Sequence, residues 1–140
     1  MPVSLPEKGL VYILEKTVAR WNAANQFTTH LDCSISKRYP LPIEAGLYRI
    51  VSELIYNVKK HAQATEVFIS IWEEKNHESI TVLVEDNGIG FSSNTTTGIG
   101  LKNIRYRVAY LGGKISIDSN SNGTSIVIEI SGLKNPSHAQ

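Results

Sequence analysis

The tightest constraint on the fold comes from two β-branched runs, EVFISIW at 66–72 and ITVLVE at 80–85, separated only by EEKNHES. Val, Ile, Thr and aromatic side chains suit a pleated surface, and so short a polar connector reads as a hairpin-like link between antiparallel strands. A second pair, 114–118 and 124–130, closes over Ser-Asn-Ser-Asn-Gly. Two hairpins commit the chain to a sheet, and its apolar face needs a cover.

Helical patterns supply that cover. Over 5–22, Leu10, Ile13, Leu14, Val18 and Trp21 recur at helical spacing behind an early proline. The stretch 43–62 places Leu47, Ile50, Val51, Leu54, Ile55 and Val58 on one face. A third helix is expected from Gly98 through Leu101, Ile104, Val108 and Leu111 to the stop at Gly112-Gly113. A weakly patterned strand at 27–33 and a two-proline connector at 36–42 complete the order. The expected class is α+β, a two-layer α/β sandwich in which three helices cover one face of a mixed, mostly antiparallel sheet.

At 140 residues the chain reads as a single domain, 1–140, with a frayed tail at 132–140. Fourteen basic against thirteen acidic residues give a net charge of +1, so no overall electrostatic bias favours nucleic acid or an anionic membrane. One cysteine, Cys33, excludes an internal disulfide framework. No apolar stretch approaches the roughly 18 residues that a membrane helix needs. The expectation is a cytoplasmic domain without membrane contact.

Two stretches carry candidate chemistry. In ELIYNVKKHA, Glu53, Asn57 and His61 share one helical stripe, and Lys60 lies one turn past Asn57. An Asn carbonyl oxygen suits a hard cation, and a Lys ammonium suits phosphate oxygens. The same residues also fit a solvated helix flank. In VLVEDNGIGFSSNTTTGIGLKNI, Asp86 ends an apolar run just before one Gly-Ile-Gly, and a second Gly-Ile-Gly opens a helix. Asp-Asn-Gly by itself is ordinary turn chemistry. A helix start, however, offers free backbone N–H groups to phosphate, and a rigid carboxylate can accept a hydrogen bond from an exocyclic amine. The polar run at 92–97 has no apolar anchor and reads as a lid. There is no Gly-Lys-Ser/Thr, so this is not a Walker loop.

Taken together, the motifs make the chain resemble the catalytic, ATP-binding (HATPase) domain of bacterial sensor histidine kinases. These belong to the superfamily shared with gyrase, MutL and heat-shock chaperones. LPIEAGLYRIVSELIYNVKKHAQA resembles the N box of the subgroup that partners LuxR-type response regulators. DNGIGF and GIGLKNIRYRVAYLGG resemble its two glycine boxes, and SNGTSIVIEI its last strand. The resemblance covers about 5–131 and implies the Bergerat-type ATP-binding fold, with ATP and Mg2+ as cofactors. It implies that Asn57 holds the magnesium and that Glu53 polarises the attacking group. Lys60 and His61 would contact phosphate or the nucleotide edge. Asp86 would read the adenine amine, with Gly88 and Gly90 letting the chain pass close to the base. Gly98, Gly100 and Leu101 would form the phosphate end of the lid, and Thr124 would stand behind the adenine. Arg105 and Arg107 are assigned to the helix surface or to sheet contacts.

The family's phospho-accepting histidine lies on a dimerisation hairpin and is followed by an acidic residue. None of His30, His61, His77 and His138 has that setting. The implied function is donation of the γ-phosphoryl group of Mg-ATP to a histidine on such a hairpin, in two-component signalling, without self-phosphorylation. A serine kinase of anti-sigma type, with Glu53 as base, and a non-catalytic nucleotide-gated interaction module are the alternatives.

Overall fold

The computed structural model describes residues 2–24, 27–74, 78–90 and 99–133, without the side chains of residues 61, 62, 99 and 100. Five strands form one sheet: β1 (Thr28–Ser34), β2 (Glu66–Glu74), β3 (Ser79–Asp86), β4 (Gly113–Asn120) and β5 (Gly123–Ile130). Their spatial order is β1-β2-β3-β5-β4. β1 runs parallel to β2, and every other pairing is antiparallel. The expected mixed, mostly antiparallel sheet is therefore present, with both hairpins in place.

Alternation along the strands decides which face is covered. Val67, Ile69 and Ile71 of β2, Ile80, Val82 and Val84 of β3, and Ile126, Ile128 and Ile130 of β5 are buried. Against them pack Leu10, Ile13, Leu14 and Val18 of α2 (Leu10–Ala24) and Leu47, Ile50, Val51 and Leu54 of α3 (Leu41–Asn57). Leu101, Ile104 and Val108 of α4 (Ile99–Tyr110) complete the same core. Each fully buried Leu or Ile contributes about 1.5–3 kcal/mol relative to exposure, so this one layer of contacts dominates the stability.

The structure departs from the expected helices at two points. The segment 5–22 is not one helix: α1 (Leu5–Lys8) ends at Gly9, whose φ is +89°, and α2 starts afresh at Leu10. The Arg38 side chain explains the break. Its guanidinium donates to the carbonyls of Leu5, Pro6 and Glu7 and to the buried Glu44 carboxylate of α3. A Cβ on Gly9 would stand 2.9 Å from Arg38 Nε. The second departure is at 43–62, where the α-helix stops at Asn57 and Val58–Ala62 forms a single π turn. Gln63 then reverses the chain at φ +53°.

Candidate functional site

Chain polarity gathers the candidate residues at one end of the sandwich. β2 begins, β3 ends, β5 begins and β4 ends at the same edge of the sheet. α3 feeds β2 through the π turn, so Asn57, its last residue, lies at that end. α4 feeds β4 at the far end, and its first turn therefore points back toward Asn57. Two contacts between α3 and α4 agree with this antiparallel run. Gly46 faces Leu111, and Glu53 pairs with Arg107.

Asp86 continues the inward series Ile80, Val82, Val84 at the last position of β3, opposite Thr124 of β5. Its carboxylate accepts the Gly88 N–H at 2.8 Å and is also bonded by the Thr124 backbone. Burial nevertheless pushes its pKa up, the two backbone bonds offsetting only part of that rise. Thr124 is 4% exposed, and its hydroxyl lies 2.9 Å from that of Ser119.

The backbone crowds this corner. A Cβ on Gly123, whose φ is +138°, would stand 2.0 Å from the Asp86 carbonyl oxygen. One on Gly90, at φ +78°, would stand 2.1 Å from the Asn120 carbonyl oxygen. Only glycine combines these dihedrals with such close approach. Gly88 is buried beside them.

Asn87, read from sequence as turn chemistry, ties the site together. Its side-chain oxygen accepts the N–H groups of Thr65 and Glu66 at 2.9 and 3.0 Å, and its amide donates to the Thr65 hydroxyl at 2.8 Å. The end of β3 is thereby stapled to the segment leaving the π turn. A single Asn satisfying two consecutive backbone donors leaves no signal in hydropathy.

Asn57 is 8% exposed at the end of α3. One turn earlier, Glu53 Oε1 accepts Arg107 Nε at 2.8 Å, while Oε2 is buried without a hydrogen-bond partner among the described residues. Arg107 thus meets a candidate site residue on the neighbouring helix, where a surface or sheet contact was expected. Lys60 rests 5.4 Å from the Tyr56 ring. Leu101 buries its side chain in the core, leaving its backbone N–H in the first turn of α4, where helix donors lack intrahelical partners. Gly100 occupies that same turn. The His61 side chain, Gly98 and the run 92–97 lie outside what the structure describes. His30, on β1, faces away from the helices, 2.8 Å from Glu66 and stacked on Phe68. Among the described residues no cluster of three His, Cys, Asp or Glu could hold a metal. A cation at this end would rest on Asn57 and on oxygens that a ligand brings with it.

The chain is similar to known proteins. The chain is 33% identical over 132 residues to the signal transduction histidine-protein kinase/phosphatase DegS of Brevibacillus brevis, covering 91% of this chain and 34% of DegS. It is 34% identical over 135 residues to the sensor histidine kinase ComP of Bacillus subtilis, covering 92% of this chain and 17% of ComP. The chain therefore spans about a third or less of these relatives. The blue-light activated histidine kinase of Erythrobacter litoralis superposes with a TM-score of 0.78 at 20% identity, over 91% of this chain and 43% of that one, which speaks to the fold. Residues 43–133, from the start of α3 past the end of β5, match the family as a unit. With the motif-bearing elements converging at one end of the sheet, the chain belongs to the histidine kinase-, DNA gyrase B- and HSP90-like ATPase family.

Proposed function

We propose that this chain is the phosphoryl-donating domain of a two-component sensor histidine kinase. It binds Mg-ATP and delivers the γ-phosphoryl group to a histidine on a dimerisation hairpin, and through it to a LuxR-type response regulator. The observation that carries the reading is the corner of Asp86, Thr124, Gly90 and Gly123, which shares one end of the fold with Asn57 and the first turn of α4.

Asp86 is the base-reading group. Its carboxylate is held at a strand end by backbone donors, which leaves acceptor capacity for the adenine amine and none for the carbonyl of guanine. Gly88 and Gly90 let the base lie against the backbone, and Thr124 closes the site behind it. Asn57, with the ammonium of Lys60 swung off Tyr56 and with His61, faces the phosphates, while the N–H groups of Gly98, Gly100 and Leu101 receive their far end. Glu53 orients the attacking nitrogen.

Magnesium fits this corner through the Asn57 carbonyl oxygen. The buried oxygen of Glu53 that has no partner among the described residues, one turn away, is suited to one of the waters that magnesium keeps. When bound, the ion neutralises charge on the transferring phosphoryl group. Phosphoryl transfer otherwise depends on holding the acceptor in line.

His30 pairs with Glu66 and stacks on Phe68 on the open face of the sheet, a setting unlike that of an acceptor beside the pocket. The chain by itself is accordingly expected not to label itself. The test is radiolabelled ATP, with and without a dimerisation hairpin supplied in trans. Acid-labile label on the hairpin supports the reading, and acid-labile label on this chain alone refutes it. Acid-stable label on a partner's serine would favour the anti-sigma-type kinase. A cytoplasmic site of action belongs to the same proposal. Among the described residues no helix is long and apolar enough to cross a membrane.

A further inference from the structure

We propose that Arg107 is a positioning residue for the Glu53 carboxylate, making the orientation of that carboxylate depend on the placement of α4. The inference rests on the phosphoryl-transfer reading of the site.

The geometry is specific. Glu53 sits on α3 one turn before Asn57, and Arg107 sits on α4 two turns after its start. Arg107 Nε donates to Glu53 Oε1 at 2.8 Å, with the two side chains 35% and 30% exposed. One carboxylate oxygen is thereby occupied, and the other is buried with no partner among the described residues. A carboxylate gripped on one edge cannot rotate freely. It presents its second oxygen in one direction.

A solvated surface pair has a different appearance, with both oxygens reaching water and the pair contributing little. Here a buried oxygen is left without a bond among the described residues, which costs stability unless something else occupies the site. The guanidinium, by contrast, is well suited to its task, because its planar donors set direction as well as charge. An ammonium at this position would supply charge with little direction.

The same pair carries information between helices. α4 opens at the second glycine box, whose backbone N–H groups are assigned to the phosphates, and its inward Leu101, Ile104 and Val108 lie in the core. Leu111 against Gly46 pins the far end of that helix to α3, too close for a Cβ on the glycine. A small tilt of α4 about this contact, as phosphate seats at its first turn, shifts Arg107 and with it the carboxylate. Arg107 touches neither nucleotide nor acceptor in this scheme and acts only through Glu53.

The experiment uses the full chain with R107M, R107K, E53Q and the R107M/E53Q double variant. Three quantities are read: phosphoryl transfer to a supplied hairpin, counting hydrolysis to water as well, ADP affinity by calorimetry, and the Arg107 Nε–H resonance by NMR. Misplacement of about an ångström costs up to roughly 100-fold in rate, so R107M is expected to slow transfer at least about tenfold. ADP affinity should stay within about threefold, since uniform binding is untouched. R107K should recover part of the rate, and the double variant should be no slower than E53Q. The Nε–H signal should be slow to exchange in the unmodified chain and faster to exchange in E53Q, whose neutral amide oxygen is a weaker acceptor than a carboxylate. Loss of affinity in step with rate, or single-variant losses that multiply in the double, would overturn the positioning role. If the unmodified chain turns over no ATP at all, the kinase reading fails by itself. The pairing is then decided by the Nε–H signal, and indifference of that signal to E53Q would overturn it.

Discussion

Replacing Asp86 with Asn should move affinity and stability in opposite directions. The site explains why. Asn keeps one oxygen, which can still accept the Gly88 N–H now found at 2.8 Å. The other oxygen becomes an NH2, which turns a donor toward whatever donor occupies the base site. A hydrogen bond involving a charged group contributes about 1.5–3 kcal/mol, equivalent to a loss of roughly 10- to 150-fold in ADP affinity. Stability follows the other sign. Burial outweighs the backbone bonds from Gly88 and Thr124, so the carboxyl holds its proton more tightly folded than unfolded. The stabilisation this gives is fully present below the unfolded-state pKa and is lost as pH rises through the raised folded one. At neutral pH the charged Asp86 therefore opposes folding, and Asp86→Asn removes that opposition. Calorimetry with ADP and GDP, beside thermal melts at pH 7, reads both quantities. The expected result is weaker ADP binding with a melting temperature no lower than that of the unmodified chain. A variant that loses affinity and melting temperature together would show that Asp86 is a structural residue. Equal ADP and GDP affinities in the unmodified chain would remove the base-reading role altogether.

The same raised pKa predicts that ADP binding fades on acidification from a pH above 3.8, the ordinary value for Asp, and that Asp86→Asn shows no such step; a titration of affinity against pH compares the two. Asn57→Ala should weaken ATP binding in magnesium far more than in EDTA, and equal losses in both would make Asn57 a packing residue. Gly123→Ala forces apart backbone atoms that leave a Cβ only 2.0 Å from the Asp86 carbonyl oxygen. Overpacking of this kind costs about 1–3 kcal/mol, so its melting temperature should fall by several degrees together with ADP affinity. Arg38→Ala should lower the melting temperature and expose 2–9 to protease, because α1 is held to α3 largely through that guanidinium; unchanged proteolysis would assign the docking of α1 to Leu5 alone.

Much of the architecture was legible because periodicity reports burial. The β2–β3 and β4–β5 pairs, and the apolar stripe of α3, are patterns that one covered sheet face imposes on a chain. The parallel pairing of β1 with β2 was not legible, since strand neighbours far apart in sequence leave no local mark. Nor was the break at Gly9, where Arg38, remote in sequence, supplies the reason. At the site, residue types and order pointed to Asp86, Asn57 and Thr124 through a resemblance, and the fold set them at one end of the sheet. Arg107 was assigned to the helix surface or a sheet contact, and its pairing with Glu53 was not legible for a physical reason. It lies 54 positions from Glu53, and only the antiparallel packing of α3 on α4 brings them together. Asn87 escaped because its bonds go to backbone atoms, which every residue has.

The π turn at Val58–Ala62 has a consequence for how this chain can change length. Such a turn is an α-helical turn holding one extra residue. Deleting one residue among these five would let the helix run on regularly, with little change in composition. It would also bring the chain one residue early to the reversal at Gln63. The place of Lys60 relative to Asn57 is thus set by a count of residues as well as by their identities. Single-residue insertions and deletions should be far scarcer in this segment than substitutions among its side chains.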